Sequence, residues 1–524
     1  MAEKVEILVE PFHQQPALSQ DRLRDLVLDH PGVQRLLSAA DPHDVQVSTP
    51  EVIGRTLQDD SPFEATAFDP IGNRAVLITG RLDEPEKLTA QSTAFRPNPT
   101  TEELGRAAAA LRADEGFAEL AGRDDLVIYQ PMPPLADLEQ PDGTSVRRPT
   151  LGILDPTGER RHRLVAVDLA AKTVDWAPEG IEHPNDGDCE SRLPLPAGSL
   201  PDSGGPDQAR VRVRVDGEEL WNLIVVRPRA STPATPKKGS GVELRQVTYR
   251  GRLVFWQAHV PILNVLYDDN VTFRDWQNDE TQFQATGSDP VGPGWRLCTS
   301  PPATILEAGT DEGNFQGVAL WYDNGERRIV SEVQAGWYRY VSDWRLRNDG
   351  TILPRFGFAG TRNPRTCMRH QHHVYWRFDF DIEGAANDVV QQRNLFPLAL
   401  WQSIVQEVSR KRSFFARGWR VIDKVTHRGY SITPGVTDGT ADAFGVADLW
   451  FLRYHGTELE DGVQVVGGTP ADTSVKLDQF LNGEAIDGTD VVIWYAGHFI
   501  HNEEHPEPHQ GHIVGPELRP INWQ

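Results

Sequence analysis

The chain has 524 residues, a formal net charge of −24 and a hydrophobic content of 39%. That length calls for several domains, or one large domain with accessories. The acidic balance argues against nucleic-acid binding, because nothing would neutralise phosphates, and no run approaches the roughly 20 apolar residues of a membrane helix.

Residues 1–93 read as an N-terminal α+β region. Short helical signals occur in SQDRLRDLVLDH, with Ser19 as cap and Pro31 as stop, and in HPGVQRLLSAA. The alternating stretches FEATAFDP and NRAVLITGRLDE flank a Pro-Ile-Gly-Asn turn and predict a hairpin. Residues 94–226 read as a second small α+β domain. In it, NPTTEELGRAAAALRADEGFAEL predicts a helix capped by Thr100 or Thr101, with glutamates in its first turn. Two strand-like stretches follow, LVIYQPMPPL and RHRLVAVDLAAKTVDW. Residues 227–240, rich in Pro, Ser, Thr and Lys, read as a linker. From 241 to 524 the texture is a series of aromatic and β-branched strands, which predicts a large β-sandwich.

The N-terminus lacks an apolar core of signal-peptide length. Cys189, Cys298 and Cys367 form a poor disulfide framework. The expectation is three reduced thiols in a cytoplasmic protein, with a Cys298–Cys367 bridge as the alternative.

The densest chemistry is the run from His370 through Gln371, His372, His373, Val374, Tyr375, Trp376, Arg377, Phe378, Asp379, Phe380 and Asp381. Side chains alternate along a strand, so His370 and His372 share one face and His373 points the other way. Two imidazoles on one face supply two nitrogen ligands from a rigid base, and such ligation suits Cu(II) or Zn(II). The competing reading is a pair of hydrogen-bonded core histidines. The tail HNEEHPEPHQGH is a second histidine cluster, but it is broken by proline and acidic, and His505, His509 and His512 are expected mostly to be surface residues rather than ligands.

HQHHVYWRFDFDIEG resembles the copper-ligand strand of copper amine oxidases: His-x-His, an Arg-apolar-Asp-apolar-Asp run, then an acidic-Gly turn. DVVIWYAGHFIH and HIVGPELRPINW resemble the family's strand bearing the third copper histidine and its final strand, a match that selects His501 over His498. The segment from Gly336 to Trp344, running into Asn348, Asp349, Gly350, Thr351 and Ile352, resembles the strand bearing the cofactor tyrosine. The likeness is patchy over residues 1–235, and the 241–524 region is shorter than the family's catalytic domain, with the loss falling between Tyr338 and His370 and before His501.

The resemblance implies a mainly β fold, a copper ion on His370, His372 and His501, and Tyr338 as precursor of topaquinone. It implies oxidative deamination of a small primary amine to an aldehyde with O2, a homodimer, and no nucleic-acid or membrane partner. Asp275 is the choice for the proton-abstracting aspartate, with Asp268 and Asp279 competing, and Tyr267 falls where the family has a tyrosine contacting the quinone oxygen. Asp379, the carbonyl of Phe380, Asp381 and Asp490 match a peripheral calcium-type site, where hard oxygens suit Ca²⁺ or Mn²⁺. Two neighbours depart from the pattern: Trp337 stands in place of Asn, and Arg339 in place of an acid. The arginine is expected to favour a phenolate or quinone oxyanion at Tyr338 and to repel a cationic amine. Two further readings stay open: a copper enzyme that keeps Tyr338 unmodified and does other oxidative chemistry in specialised metabolism, and a non-catalytic copper-binding protein.

Overall fold

A computed structural model of the chain describes residues 4–523, except 13–19, 38–44, 48–50, 53–61, 71, 82–83, 94–96, 140–144, 182–188, 191, 201, 233–238, 311, 395–399, 414–417, 464 and 502–511. Ser19, His505, His509 and part of the expected linker therefore lie outside the described residues. No helix among the described residues is long and apolar enough to cross a membrane.

A first strand, β1 (Val5–Pro11), is followed by α1 (Gln20–Leu28) and α2 (Pro31–Leu36). Pro31 does not only end the first helix: it opens the second at its first turn, where its missing N–H costs nothing. The expected hairpin is present as β2 (Pro62–Asp69) and β3 (Arg74–Arg81), extended by β4 (Thr89–Thr93). Val27, Val33, Leu37, Val76 and Ile78 close a small core between these helices and strands.

The second helix-bearing unit follows. In α3 (Thr101–Ala113), Thr100 is the cap and exchanges bonds with Glu103 in a capping box. Glu103 also receives Arg147 at 2.7 Å, a fully buried ion pair anchoring the helix. The apolar face of α3 packs on β5 (Ser145–Leu154) and β6 (His162–Asp168) through Leu104, Leu111, Leu151 and Val165.

The large sandwich reaches beyond the expected boundaries. Strands β7 (Gln208–Val215) and β8 (Glu218–Val226) pair with β1 on one side and with β9 (Glu243–Tyr249) on the other. One sheet thus runs β1-β7-β8-β9 into the long β10 (Arg252–Tyr267) and onward, crossing the Pro-rich 227–240 stretch. The facing sheet holds β11 (Glu326–Ala335), β12 (Tyr338–Arg347) and β13 (Ile352–Gly360) as a meander. The first sheet continues through β14 (His370–Phe380), with β15 (Leu449–Arg453) beside β16 (Val491–His501); β17 (Glu517–Ile521) lies next to β13 inside the second.

Strand alternation builds the core. Val374, Trp376, Phe378 and Phe380 of β14 and Ile493, Tyr495 and Phe499 of β16 face inward between the sheets. Tyr375, Val492, Trp494 and Ala496 face outward into a separate apolar layer. From β12 and β13, Tyr338, Tyr340, Trp344, Phe356 and Phe358 meet the inward set.

The cysteines differ from expectation. Cys189 is bonded to Cys367 across 178 residues, and Cys298 is the free, buried thiol. Neither the three-thiol reading nor Cys298–Cys367 holds. The reason is tertiary: Glu190 and Arg192 lie beside the chain just after β13, where Arg362 donates from its backbone to the Arg192 carbonyl at 2.8 Å and from Nε to the Glu190 carbonyl at 3.2 Å.

Candidate metal centre

His370 and His372 lie on the inward face of β14, and His501 lies at the end of β16 directly opposite His370. His370 Nε2 is 3.3 Å from His501 Nδ1. The His370 and His372 ring centroids are 4.9 Å apart. His370 Nδ1 sits 2.6 Å from the Met368 carbonyl, which fixes that nitrogen as the donor and leaves Nε2 as the acceptor. Both nitrogens of His372 are buried without a hydrogen-bond partner, an arrangement that costs free energy unless something ligates them. Burial pushes His370 down to about 4 and His372 well below the usual histidine range. Both are neutral near pH 7, the state in which imidazole binds a metal.

The donor set therefore fits a copper-type ion in chemistry, charge and burial. His370 and His501 already meet, and the His372 ring would have to turn toward them to complete the set. Among the described residues, the only three metal-ligating side chains whose ligand atoms all lie within 4.8 Å of one another are Asp379, Asp381 and Asp490. The histidine trio does not close to that distance, and the His372 ring instead stacks on Phe499 and Phe358.

His373 and His498 are on the other face. They pair with each other at 2.7 Å between their Nδ1 atoms, with His498 Nε2 3.0 Å from Asp448. Strand alternation thus sets His373 and His498 on the face opposite His370, His372 and His501. His512 stacks on Phe358 and meets the His501 ring edge-on at 5.9 Å.

Tyr338 opens β12, delivered by a two-residue turn of Gly336 and Trp337 in which Gly336 takes φ of +56°. The Tyr338 hydroxyl is 3.0 Å from His370 Nε2 and hydrogen-bonded to the Tyr267 hydroxyl. Tyr267 stacks on His370 with centroids 4.7 Å apart and accepts from Trp337 Nε1 at 3.3 Å. Burial raises both phenols far above their ordinary value.

Arg339 does not act as expected. Alternation turns it to the outer face of β12, shared with Val341, and its guanidinium donates to the carbonyls of Gly336 and Tyr338 at 3.1 and 2.8 Å. Tyr338 is held protonated by burial rather than driven to phenolate. Trp337 does sit beside the ring, with centroids 6.3 Å apart.

Of the aspartates, Asp275 is buried beside the tyrosines. It accepts a hydrogen bond from the Tyr340 hydroxyl, and the Tyr340 ring stacks on Tyr338 at 5.7 Å. Burial raises its carboxyl to about 7, and Oδ1 is left without a partner. Asp268 is instead a surface partner of Arg369, and Asp279 accepts from Trp276 at 2.9 Å. Tyr340, which links Asp275 to Tyr338, was missed in the sequence, although its two-residue spacing from Tyr338 was the available signal.

Solved structures with this architecture were found. A copper-containing benzylamine oxidase from Hansenula polymorpha matches with TM-score 0.60 and 12% identity, over 97% of this chain and 98% of that one. The fold is that of the copper amine oxidases. An amine oxidase from Aspergillus nidulans matches this amine oxidase fold with TM-score 0.52 and 14% identity, over 98% and 90% of the two chains. A Pichia pastoris lysyl oxidase does so with TM-score 0.51 and 12% identity, over 93% and 86%. No family model matches the sequence, and no curated protein does. At such identities an amine oxidase likeness speaks for the fold, and function has to be argued from the site.

Proposed function

We propose that the chain is a copper-dependent oxidase that converts a small primary amine to an aldehyde with O2. The observation that carries the reading is the Tyr338 hydroxyl 3.0 Å from His370 Nε2, inside a closed aromatic shell. His370, His372 and His501 would hold the ion. Bound copper would supply the electron-transfer couple with O2, and a quinone made from Tyr338 would supply the electrophilic carbonyl.

The chain's own groups supply the rest. Tyr267 and Trp337 fix the orientation of the Tyr338 oxygen. Asp275, with a carboxyl poised near 7 and a free oxygen, takes the substrate α-proton. Phe358, Phe499 and Trp376 keep water out, which strengthens every polar contact inside. Asp379, Asp381 and Asp490 would hold a hard cation such as Ca²⁺ at the far end of β14.

A second reading, a copper oxidase with Tyr338 unmodified, is favoured by one observation. The phenol is bonded on both sides and its ring is wedged among Tyr340, Phe358 and His372. Loading with Cu(II) in air, followed by phenylhydrazine, separates the two. A visible quinone band that shifts to an intense hydrazone absorption supports the quinone. A copper-loaded protein with neither supports the unmodified tyrosine.

A further inference from the structure

An imidazole that binds a metal through one nitrogen is oriented by what its other nitrogen meets. For His370 that partner is the Met368 carbonyl. For His501 the nitrogen facing His370 is Nδ1, so the orienting contact must be made at Nε2. That atom meets a segment that precedes β7 in sequence. Glu190 Oε1 lies 3.6 Å from it, just outside hydrogen-bond distance.

Glu190 is itself buried and held on several sides. Its Oε2 receives Arg192 Nη1 at 3.1 Å, and its carbonyl accepts from Arg362. The neighbouring Cys189 is bonded to Cys367, three residues before His370. Room for the carboxylate comes from Gly360, the cross-strand partner of Tyr338. A Cβ there would lie 3.2 Å from Glu190 Cγ and 3.3 Å from Oε1. A buried acid brought next to a buried histidine by a disulfide and an arginine clasp is costly to assemble unless the pair interacts.

We propose that Glu190 is a positioning residue for the metal centre: its carboxylate receives the Nε2 proton of His501, fixing the tautomer that presents Nδ1 to the ion. The Cys189–Cys367 bond keeps that carboxylate in place. The inference rests on the reading of His370, His372 and His501 as metal ligands.

The test uses the full chain, titrated with Cu(II) against a competing chelator, with electron paramagnetic resonance of the loaded protein. Glu190→Gln keeps an acceptor but loses the charge, and Glu190→Ala loses both. Copper affinity is expected to fall in that order, by about 10- to 100-fold at the alanine, with altered copper hyperfine coupling, and by more than in Arg192→Met, which breaks the same buried ion pair but keeps the carboxylate beside His501. If both variants bind copper as the unaltered chain does, the inference is overturned and the metal reading survives. The inference also fails if affinity falls only in step with metal-free melting, which marks a structural role. An unaltered chain that takes up no copper overturns both.

Discussion

His370 and His501 stand directly opposite each other on β14 and β16, with Nε2 of the first 3.3 Å from Nδ1 of the second. The backbone register fixes that meeting, and it gives a clean separation of faces. Alanine at His370, His372 or His501 is expected to abolish retention of one copper per chain after loading and desalting. Alanine at His498 is expected to keep the copper and cost about 1–3 kcal/mol of stability, because His373 and Asp448 lose their buried partner. Copper retained in His501→Ala and lost in His498→Ala would reverse the ligand assignment.

Asp275 predicts two pH effects. As a base it must shed its proton, so kcat/KM for an amine should rise with pH up to about 7 and level off above, and Asp275→Asn should remove most of the activity. Stability runs the other way. The folded carboxyl keeps its proton to about 7, whereas an unfolded aspartate loses it near ~3.9. The folded state therefore binds the proton more tightly, and the benefit is full below the unfolded value and lost as pH rises through the folded one. Thermal melts at pH 5 and pH 8 should differ more for the unaltered chain than for Asp275→Asn; equal differences would refute the shift.

The carboxylate trio of Asp379, Asp381 and Asp490 should bind a divalent cation. Added Ca²⁺ is expected to raise the melting temperature in proportion to the logarithm of its concentration once saturating. Asp490→Asn should erase that response while leaving copper uptake intact. A rise that persists in Asp490→Asn would place the calcium effect elsewhere.

The disulfide gives a count. Denatured without reductant, the chain should show one reactive thiol, from Cys298, and three after reduction. Replacing Cys189 and Cys367 by serine should cost about 2–5 kcal/mol, since the bond closes a loop of 178 residues. Three thiols in the unreduced protein would mean that the bond does not form.

The face assignments were legible because a strand has period two: in the run from His370 to Asp381, knowing the direction of one side chain gives all the others. The capping box at Thr100 was legible for a similar reason, since it is local. What sequence could not supply was partnership over distance. ARVRVRV in β7 reads as a strand, yet nothing in it says that it joins the sandwich. Cys189 lies 178 residues from its partner. Arg339 was misjudged because adjacency in sequence was taken as adjacency in space, whereas on a strand the neighbour of Tyr338 faces away from it.

The pairing of β8 with β9 across the Pro-rich stretch has a practical consequence. A fragment beginning near residue 241 would strip the strand Glu243–Tyr249 of its neighbour, baring a row of amide and carbonyl groups beside Leu244, Val247 and Tyr249. Such an edge recruits strands from other molecules, so the excised piece should self-associate into insoluble material. The break that composition suggests is a poor place to cut.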